Sequence, residues 1–132
     1  MAIMLVVVYL AFGVAIPLVF LAGNSANASS QIGGIKLTAG EKQGRELFGQ
    51  HCGVCHTLAA ANAVGKVGPN LDMLQPSQDL VLKTIQNGCF QSPPPGDSSA
   101  TCLGYGTMPP LILQGKQAQQ VASFVAKVAG KE

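Results

Sequence analysis

A C-x-x-C-H motif, formed by Cys52, Cys55 and His56, constrains this chain of 132 residues more than any other feature. Cysteines three positions apart lie about one helical turn apart, so both can form thioether bonds to vinyl groups on one edge of a haem. The adjacent histidine can then ligate the iron. The motif is therefore typical of covalent haem attachment, which requires a fold that encloses a planar cofactor. A redox-active dithiol, half of a zinc site and a chance occurrence are the alternatives.

Met108 is the candidate for a second axial ligand. It lies in the segment GTMPP, 52 residues after His56, where two prolines stiffen the chain and a glycine precedes them. Most methionines are core residues, so it is this setting, rather than the residue type, that supports Met108. Met73 closely follows a GPNL turn and is the weaker candidate, and His51 is interpreted as a surface histidine.

The segment Gly68-Pro69-Asn70-Leu71 is the candidate for the surroundings of the proximal histidine. A metal-bound histidine needs a hydrogen-bond acceptor for its other ring nitrogen. We expect the carbonyl of Pro69 to be that acceptor for His56, with Leu71 packed against the haem. An ordinary turn is an equally good interpretation of these four residues.

Three helices are predicted for the part of the chain that surrounds the motif. Thr38 and Glu41 have the spacing of a capping box, and the helix that they begin runs towards the C-x-x-C-H motif. A second helix is predicted from Ser77 as N-cap to Gly88, and a third ends at Gly130, its apolar residues following the helical period. No alternating strand pattern is present, so the predicted class is all-α, with loops long enough to enclose a cofactor.

The N-terminal residues 1–22 contain no charged side chain. As a helix this segment would be about 33 Å long, enough to cross a hydrocarbon core of about 30 Å. It is predicted to be a transmembrane anchor or a secretory signal segment. If it is a signal segment, cleavage is expected after Ala28, because Ala26-Asn27-Ala28 has the small-x-small pattern of signal peptidase sites. The lack of a basic N-terminal region favours the anchor.

The remaining chain is predicted to form a linker and one domain. Residues 23–35 are typical of a flexible linker, with a reach of roughly 20 Å. All 14 charged side chains lie in residues 36–132, which form the predicted domain, and the net charge is +2. This low charge, without a basic stripe or run, excludes a nucleic-acid binder and gives no site for an acidic membrane surface.

The motifs occur in the order of a known family. The segments GRELFGQHCGVCHTL, VGPNL, GTMPP and VASFVAKV resemble the first helix and haem site, the proximal loop, the methionine loop and the last helix of a class I bacterial cytochrome c of the small monohaem type. The resemblance covers residues 37–130. It implies one covalent haem c on Cys52 and Cys55, His56 and Met108 as axial ligands, and three to four helices around the haem, preceded here by the N-terminal hydrophobic helix.

The same resemblance implies how the first and last helices meet. In the family these two helices cross, so Gly44 and Phe48 are expected to pack against Val121 and Phe124. A small residue at a crossing lets two helices approach closely, and any helix pair with such a contact would give the same pattern.

Cys89 and Cys102 depart from the simplest pattern of the family. They flank a proline-rich loop just before the methionine segment, and we interpret them as a disulfide. Closing a loop of about 14 residues would contribute roughly 3 kcal/mol and would hold the Met108 segment against the haem. Disulfides persist in oxidising compartments. Two unpaired buried thiols, or a zinc site shared with the C-x-x-C-H cysteines, are the alternatives.

These expectations together predict an electron carrier rather than an enzyme. Two protein ligands and four porphyrin nitrogens leave no position for a substrate, and a Met/His pair raises the reduction potential. The predicted partners are a quinol-oxidising donor complex and a terminal oxidase or other acceptor, on the outer face of the cytoplasmic membrane. Docking is expected on an apolar patch that includes Val67, Pro109 and Pro110.

Three other functions compete with this one. The chain could be an integral cytochrome subunit of a larger membrane complex, with the N-terminal helix used for assembly. A thiol-disulfide oxidoreductase would use Cys52 and Cys55, usually in a fold that contains strands. A gas sensor or peroxidase would need an open position on the iron, at the expense of Met108.

Overall fold

The computed structural model describes residues 2–19, 31–90, 100–103 and 106–131. The chain divides into two compact units, Met1–Gln31 and Ile32–Glu132. In the first unit, Ala2–Tyr9 form helix α1 and Leu10–Ala15 form a π-helical segment. Pro17 follows this segment. Because proline lacks an N–H group and crowds the carbonyl four residues earlier, a widened helical turn relieves the crowding.

Apolar side chains of the first unit are exposed, as at Met4 (77%) and Phe12 (66%). Within the described ranges, no helix combines the length and the apolar character needed to cross a membrane. The predicted cleavage site at Ala28 and most of the predicted linker, residues 23–30, lie outside the described residues. The anchor, the cleavage site and the linker therefore stay predictions.

The second unit is built mainly from helices. Its described residues form α2 (Ala39–His51), α3 (Leu71–Leu74), α4 (Gln78–Asn87) and α5 (Gly115–Val128), with a short 3-10 turn at Ala59–Ala61. The three long helices are those that the sequence predicts.

The ends of the long helices confirm the predicted signals. Thr38 Oγ1 accepts a hydrogen bond from the Glu41 amide (3.3 Å), and the Glu41 carboxylate accepts one from the Thr38 amide (2.7 Å), so the capping box is complete. Ser77 caps α4 through the amide of Leu80. Gly88 and Gly130 both have a φ of +70°, which glycine adopts without strain, and each ends a helix.

Helix α3 was not predicted, because it has only four residues. It forms because Asn70 caps it: the Oδ1 atom accepts hydrogen bonds from the amides of Asp72 (2.9 Å) and Met73 (3.3 Å). Asp72 then accepts from the amides of Ala59 (2.8 Å) and Gly130 (3.1 Å), which ties this helix to the chain after the C-x-x-C-H motif and to the end of α5.

Helices α2 and α5 cross at the place that the resemblance implies. A Cβ atom on Gly44 would lie 2.6 Å from the Gln120 carbonyl carbon and 3.0 Å from the Phe124 Cβ, so the two backbones touch. Phe48 packs edge-on against Phe124, with ring centroids 6.3 Å apart. An ion pair of 2.7 Å between Glu41 and Lys127 joins the start of α2 to the end of α5.

The predicted all-α class needs a correction, because the described residues also contain three two-stranded sheets. Each strand has two residues, too short for an alternating pattern to be visible in the sequence. The chain is therefore mostly helical with small sheets. The paired strands are β1 (Gln31–Ile32) with β2 (Ile35–Lys36), β3 (Thr57–Leu58) antiparallel to β4 (Ala63–Val64), and β5 (Cys89–Phe90) parallel to β6 (Ala100–Thr101).

Candidate cofactor site

One cavity of about 190 Å³ in the second unit collects the residues that the sequence singles out. None of the described residues that line it is an Asp, Glu, Lys or Arg. Its floor is the helix core, since Phe48, Val121 and Val125 are at most 1% exposed and also line the cavity. The predicted residues that line it are Cys52, Cys55, His56, Pro69, Leu71, Cys89, Cys102 and Met108.

The C-x-x-C-H motif sits on the C-terminal end of α2. The Cys52 amide donates to the Phe48 carbonyl (2.8 Å), and the Cys55 and His56 amides both donate to the Cys52 carbonyl (3.0 and 2.9 Å). The motif is thus one hydrogen-bonded turn, which places the two cysteines about one turn apart as the spacing predicts. Cys52 is buried, whereas Cys55 is exposed.

His56 is oriented by the chain that follows it. Its Nδ1 atom lies 3.0 Å from the Pro69 carbonyl oxygen. A carbonyl can only accept, so Nδ1 carries the proton and Nε2 keeps a free lone pair, the form in which a histidine ligates a metal. The expected acceptor is therefore in place.

Two glycines make this arrangement possible: Gly68, which was predicted only as part of the segment around the histidine, and Gly65, which was not predicted as a site residue. A Cβ atom on Gly68 would lie 2.7 Å from Nδ1 of His56, so only glycine lets the Pro69 segment cover the ring. A Cβ atom on Gly65 would lie 2.5 Å from the Val54 carbonyl oxygen and 2.7 Å from the His56 amide nitrogen. The signal was present as the two glycines of VGKVGPNL, but sequence alone does not show which backbone each one faces.

The structure distinguishes Met108 from Met73 as candidates for the second axial ligand. Met108 is half-buried, lines the cavity and packs against the core. Met73 is 83% exposed and does not line the cavity, so the structure gives it no access to a ligand position. His51 is exposed, as expected, and lies at the rim of the cavity.

Cys89 and Cys102 form a disulfide, with Cα atoms 5.0 Å apart. This confirms the preferred interpretation and excludes a zinc site that would use both thiols. In the part of the chain that the structure describes, no group of three or more His, Cys, Asp or Glu residues is arranged to hold a metal ion. The Cys89 amide also donates to the Met108 carbonyl (2.9 Å), so the disulfide lies directly beside the methionine segment.

The thiol of Cys52 has a raised pKa. Its burial, and secondly repulsion from the neighbouring Cys55, raise the pKa of Cys52 to about 11. Reactive cysteines have a lowered pKa, which gives them a large thiolate fraction at neutral pH. Cys52 is therefore not suited to be the attacking cysteine of a redox-active dithiol.

The residues present fit a haem on chemical grounds. A mostly apolar cavity, without Asp, Glu, Lys or Arg among its described lining residues, suits a porphyrin, and the two thiols lie at its boundary one turn apart. A histidine with one free nitrogen and a methionine thioether line the same cavity, and both are haem-iron ligands.

Comparison with known proteins supports this assignment. No family model and no curated protein matches the chain. Among solved structures, it is similar to the c-type cytochrome SorU from Sinorhizobium meliloti, with 36% sequence identity, a TM-score of 0.51, and coverage of 69% of this chain and 92% of that chain. On this identity and coverage, and with the C-x-x-C-H motif at a fitting cavity, the chain belongs to the c-type cytochromes.

Proposed function

We propose that this protein is a class I monohaem cytochrome c that carries single electrons. In this proposal Cys52 and Cys55 hold one haem c covalently, and His56 and Met108 ligate its iron. The observation that carries the proposal is that these four residues line one uncharged cavity, in which the His56 Nδ1–H is already bonded to the Pro69 carbonyl. The sequence contains a single C-x-x-C-H motif, which supports one haem.

The haem, when bound, supplies an iron that gains and loses one electron. The residues of the chain control that iron. His56 is fixed in one tautomer by Pro69, Leu71 contributes apolar surface to the cavity, and Met108 lines the same cavity, where its thioether would ligate the iron. Because thioether ligation raises the reduction potential, we place the carrier at the oxidising end of an electron-transport chain.

We further propose that the domain works on the outer face of the cytoplasmic membrane, between a quinol-oxidising donor and a terminal oxidase or other acceptor. The disulfide supports an oxidising compartment, and the exposed apolar residues of the first unit support a role in export or anchoring. Val67 is 49% exposed, and the exposed Pro109 lies with it at the uncharged cavity. Pro110 is exposed beside them, and we propose that all three belong to an apolar docking patch. A strong dependence of the electron-transfer rate on ionic strength would contradict such docking.

The first experiment is the intact mass of the native protein after denaturation. One haem that stays bound supports attachment at Cys52 and Cys55, and absence of the adduct from matured protein refutes the proposal. The same mass shows whether the segment from Met1 to Ala28 is retained. Stable co-purification with other chains would identify an integral subunit of a larger complex, rather than a free carrier.

Ligation by Met108 is tested with a matched pair of variants. In Met108→Ala the ferrous haem is expected to bind carbon monoxide readily, because the sixth position is open. Met73→Ala removes an exposed methionine outside the cavity and should behave like the wild type. If the wild type binds carbon monoxide as tightly as Met108→Ala, Met108 is not a ligand and a sensor or peroxidase function gains support.

A further inference from the structure

We infer that Gly88 and Cys89, at the C-terminal end of α4, are positioning residues for Met108. This inference rests on the proposed role of Met108 as an iron ligand. Neither residue has to contact the cofactor for this role. Both act on the backbone of the methionine segment. Gly88 acts by packing closely against it, and Cys89 acts through the hydrogen bond of its amide and through its disulfide.

The methionine segment is held by backbone hydrogen bonds at its two ends. Pro109 and Pro110, between those ends, have no N–H groups and cannot donate hydrogen bonds. The Met108 carbonyl accepts from the Cys89 amide (2.9 Å), and the Leu111 amide donates to the Ile85 carbonyl (2.9 Å) and, at 3.2 Å, to the next carbonyl of α4. Both ends are therefore bound to the last turn of α4 and the chain just after it.

Gly88 lies close against the backbone of the methionine segment between these two sets of hydrogen bonds. A Cβ atom at this position would lie 2.5 Å from the Met108 carbonyl oxygen, 3.0 Å from the Pro109 carbonyl carbon and 2.8 Å from the Pro110 nitrogen. All three are backbone atoms, which cannot rotate away as a side chain can. The backbone of Gly88, with φ +70° and ψ −168°, is also in a region that is open almost only to glycine.

The disulfide adds a covalent link at the next residue. Cys89 is bonded to Cys102, and both cysteines line the cavity together with Met108. Cys89–Phe90 pair with Ala100–Thr101 as parallel strands, and Cys89 also forms an isolated antiparallel bridge with Met108. The Met108 carbonyl is thus hydrogen-bonded to Cys89, and the position of Cys89 is itself fixed by the segment that contains Cys102.

The size of the expected displacement decides whether this packing matters. Ordinary van der Waals contact begins near 3.4 Å, so an alanine at position 88 must push the Met108 carbonyl away by about 0.9 Å from its 2.5 Å approach. Functional groups need to be held within roughly 0.5 Å of their working geometry. A shift of this size is therefore large enough to weaken ligation by Met108.

The test uses the haem-loaded protein and two alanine variants. Gly88→Ala is compared with Gly34→Ala, because Gly34 also has a positive φ (+80°), but a Cβ atom there would meet nothing within 4 Å. Both variants meet backbone strain, and only the first meets the methionine segment. The measurements are the affinity of the ferrous protein for carbon monoxide and the weak red absorption band that methionine sulfur gives to ferric haem.

Gly88→Ala is expected to bind carbon monoxide about tenfold more tightly than the wild type and to lose most of the red band, whereas Gly34→Ala keeps wild-type values. The double variant Cys89→Ala/Cys102→Ala keeps Gly88 and should show a smaller change in the same direction. If Gly88→Ala does not fold, this double variant decides the question alone.

Two outcomes overturn the inference and are distinguishable. If the wild type resists carbon monoxide, Met108→Ala binds it, and both Gly88→Ala and the disulfide variant match the wild type, the positioning role is refuted while the proposed function stands. If the wild type itself binds carbon monoxide like Met108→Ala, ligation by Met108 fails, and the positioning role fails with it.

Discussion

The crossing of α2 and α5 at Gly44 is a point of the fold that a single added methyl group would disturb strongly. In Gly44→Ala the new Cβ atom would lie 2.6 Å from the Gln120 carbonyl carbon, whereas ordinary contact begins near 3.4 Å. The obstacle is the backbone of α5, which has no rotamer to change. The Gln120 carbonyl oxygen lies nearer still, so the two helices must separate by more than about 0.8 Å at this point, and the buried Phe48 and Phe124 rings beside it lose part of their contact.

Two opposing effects set the magnitude of the change. Overpacking of this kind costs about 1–3 kcal/mol, and replacing glycine by alanine inside a helix returns about 1 kcal/mol through helix propensity. We expect Gly44→Ala to lower the free energy of unfolding by up to about 2 kcal/mol. In a domain of roughly 100 residues each kcal/mol lowers the melting temperature by roughly 4–8 °C.

The assay is urea unfolding of the haem-loaded protein, with Gly49→Ala as the matched control. Gly49 lies in the same helix and is exposed, and a Cβ atom there meets nothing within 4 Å. The control should gain about 0.5–1 kcal/mol, so the two variants are expected to shift in opposite directions at an unchanged m-value. A Gly44→Ala protein as stable as its Gly49→Ala counterpart would refute the close approach of the two helices.

Two further predictions concern the links around this core. Burial alone would raise the pKa of Glu41, but hydrogen bonds from Lys127 and from the backbone and side chain of Thr38, with the charge of Lys127, hold it below its ordinary value of 4.5. A lowered folded-state pKa gives stability that is present above pH 4.5 and is lost as pH falls through the folded pKa. Glu41→Gln should therefore cost about 1–2 kcal/mol of unfolding free energy at neutral pH, and its difference from the wild type should shrink in acid. As a control, Lys83→Gln should change stability little, because Lys83 lies in an ion pair whose side chains are 66% and 72% exposed. A deficit for Glu41→Gln that stays constant down to acid pH would contradict the argument. Loss of the disulfide in Cys89→Ala/Cys102→Ala should lower the free energy of unfolding by roughly 3 kcal/mol, measured by the same urea assay; unchanged stability would mean that the link does not constrain the unfolded chain.

The helices and the local geometry of the C-x-x-C-H motif could be predicted because each depends on a local rule. The capping box at Thr38, the cap at Ser77 and the stop at Gly88 are each defined by a few neighbouring residues, and the structure confirms them. The C-x-x-C-H spacing works in the same way, since one hydrogen-bonded turn holds its three residues together. Such features need no knowledge of the rest of the fold.

The remainder depends on contacts that no short run of residues defines. Each strand has two residues and forms by pairing with another short segment, as Cys89–Phe90 pair with Ala100–Thr101, and two residues are too few to show an alternating pattern. The same holds for Gly68 and Gly88, whose importance comes from the ring or backbone that each one faces. Glycine is visible in a sequence, but its neighbour in space is not.

The helix core and the candidate site share residues, and this has a physical consequence. Phe48, Val121 and Val125 are buried in the core and also line the cavity, so a haem in that cavity would complete their packing. Small domains bury a modest fraction of their surface, and a bound cofactor can supply apolar contacts that the chain lacks. A haem attached covalently stays on the unfolded chain, so it would stabilise the fold through the apolar contacts that form only on folding. Occupation of the cavity and stability of the α2–α5 crossing are therefore coupled: a change that opens the crossing at Gly44 also moves the floor of the site, and a change that empties the site removes one side of the core.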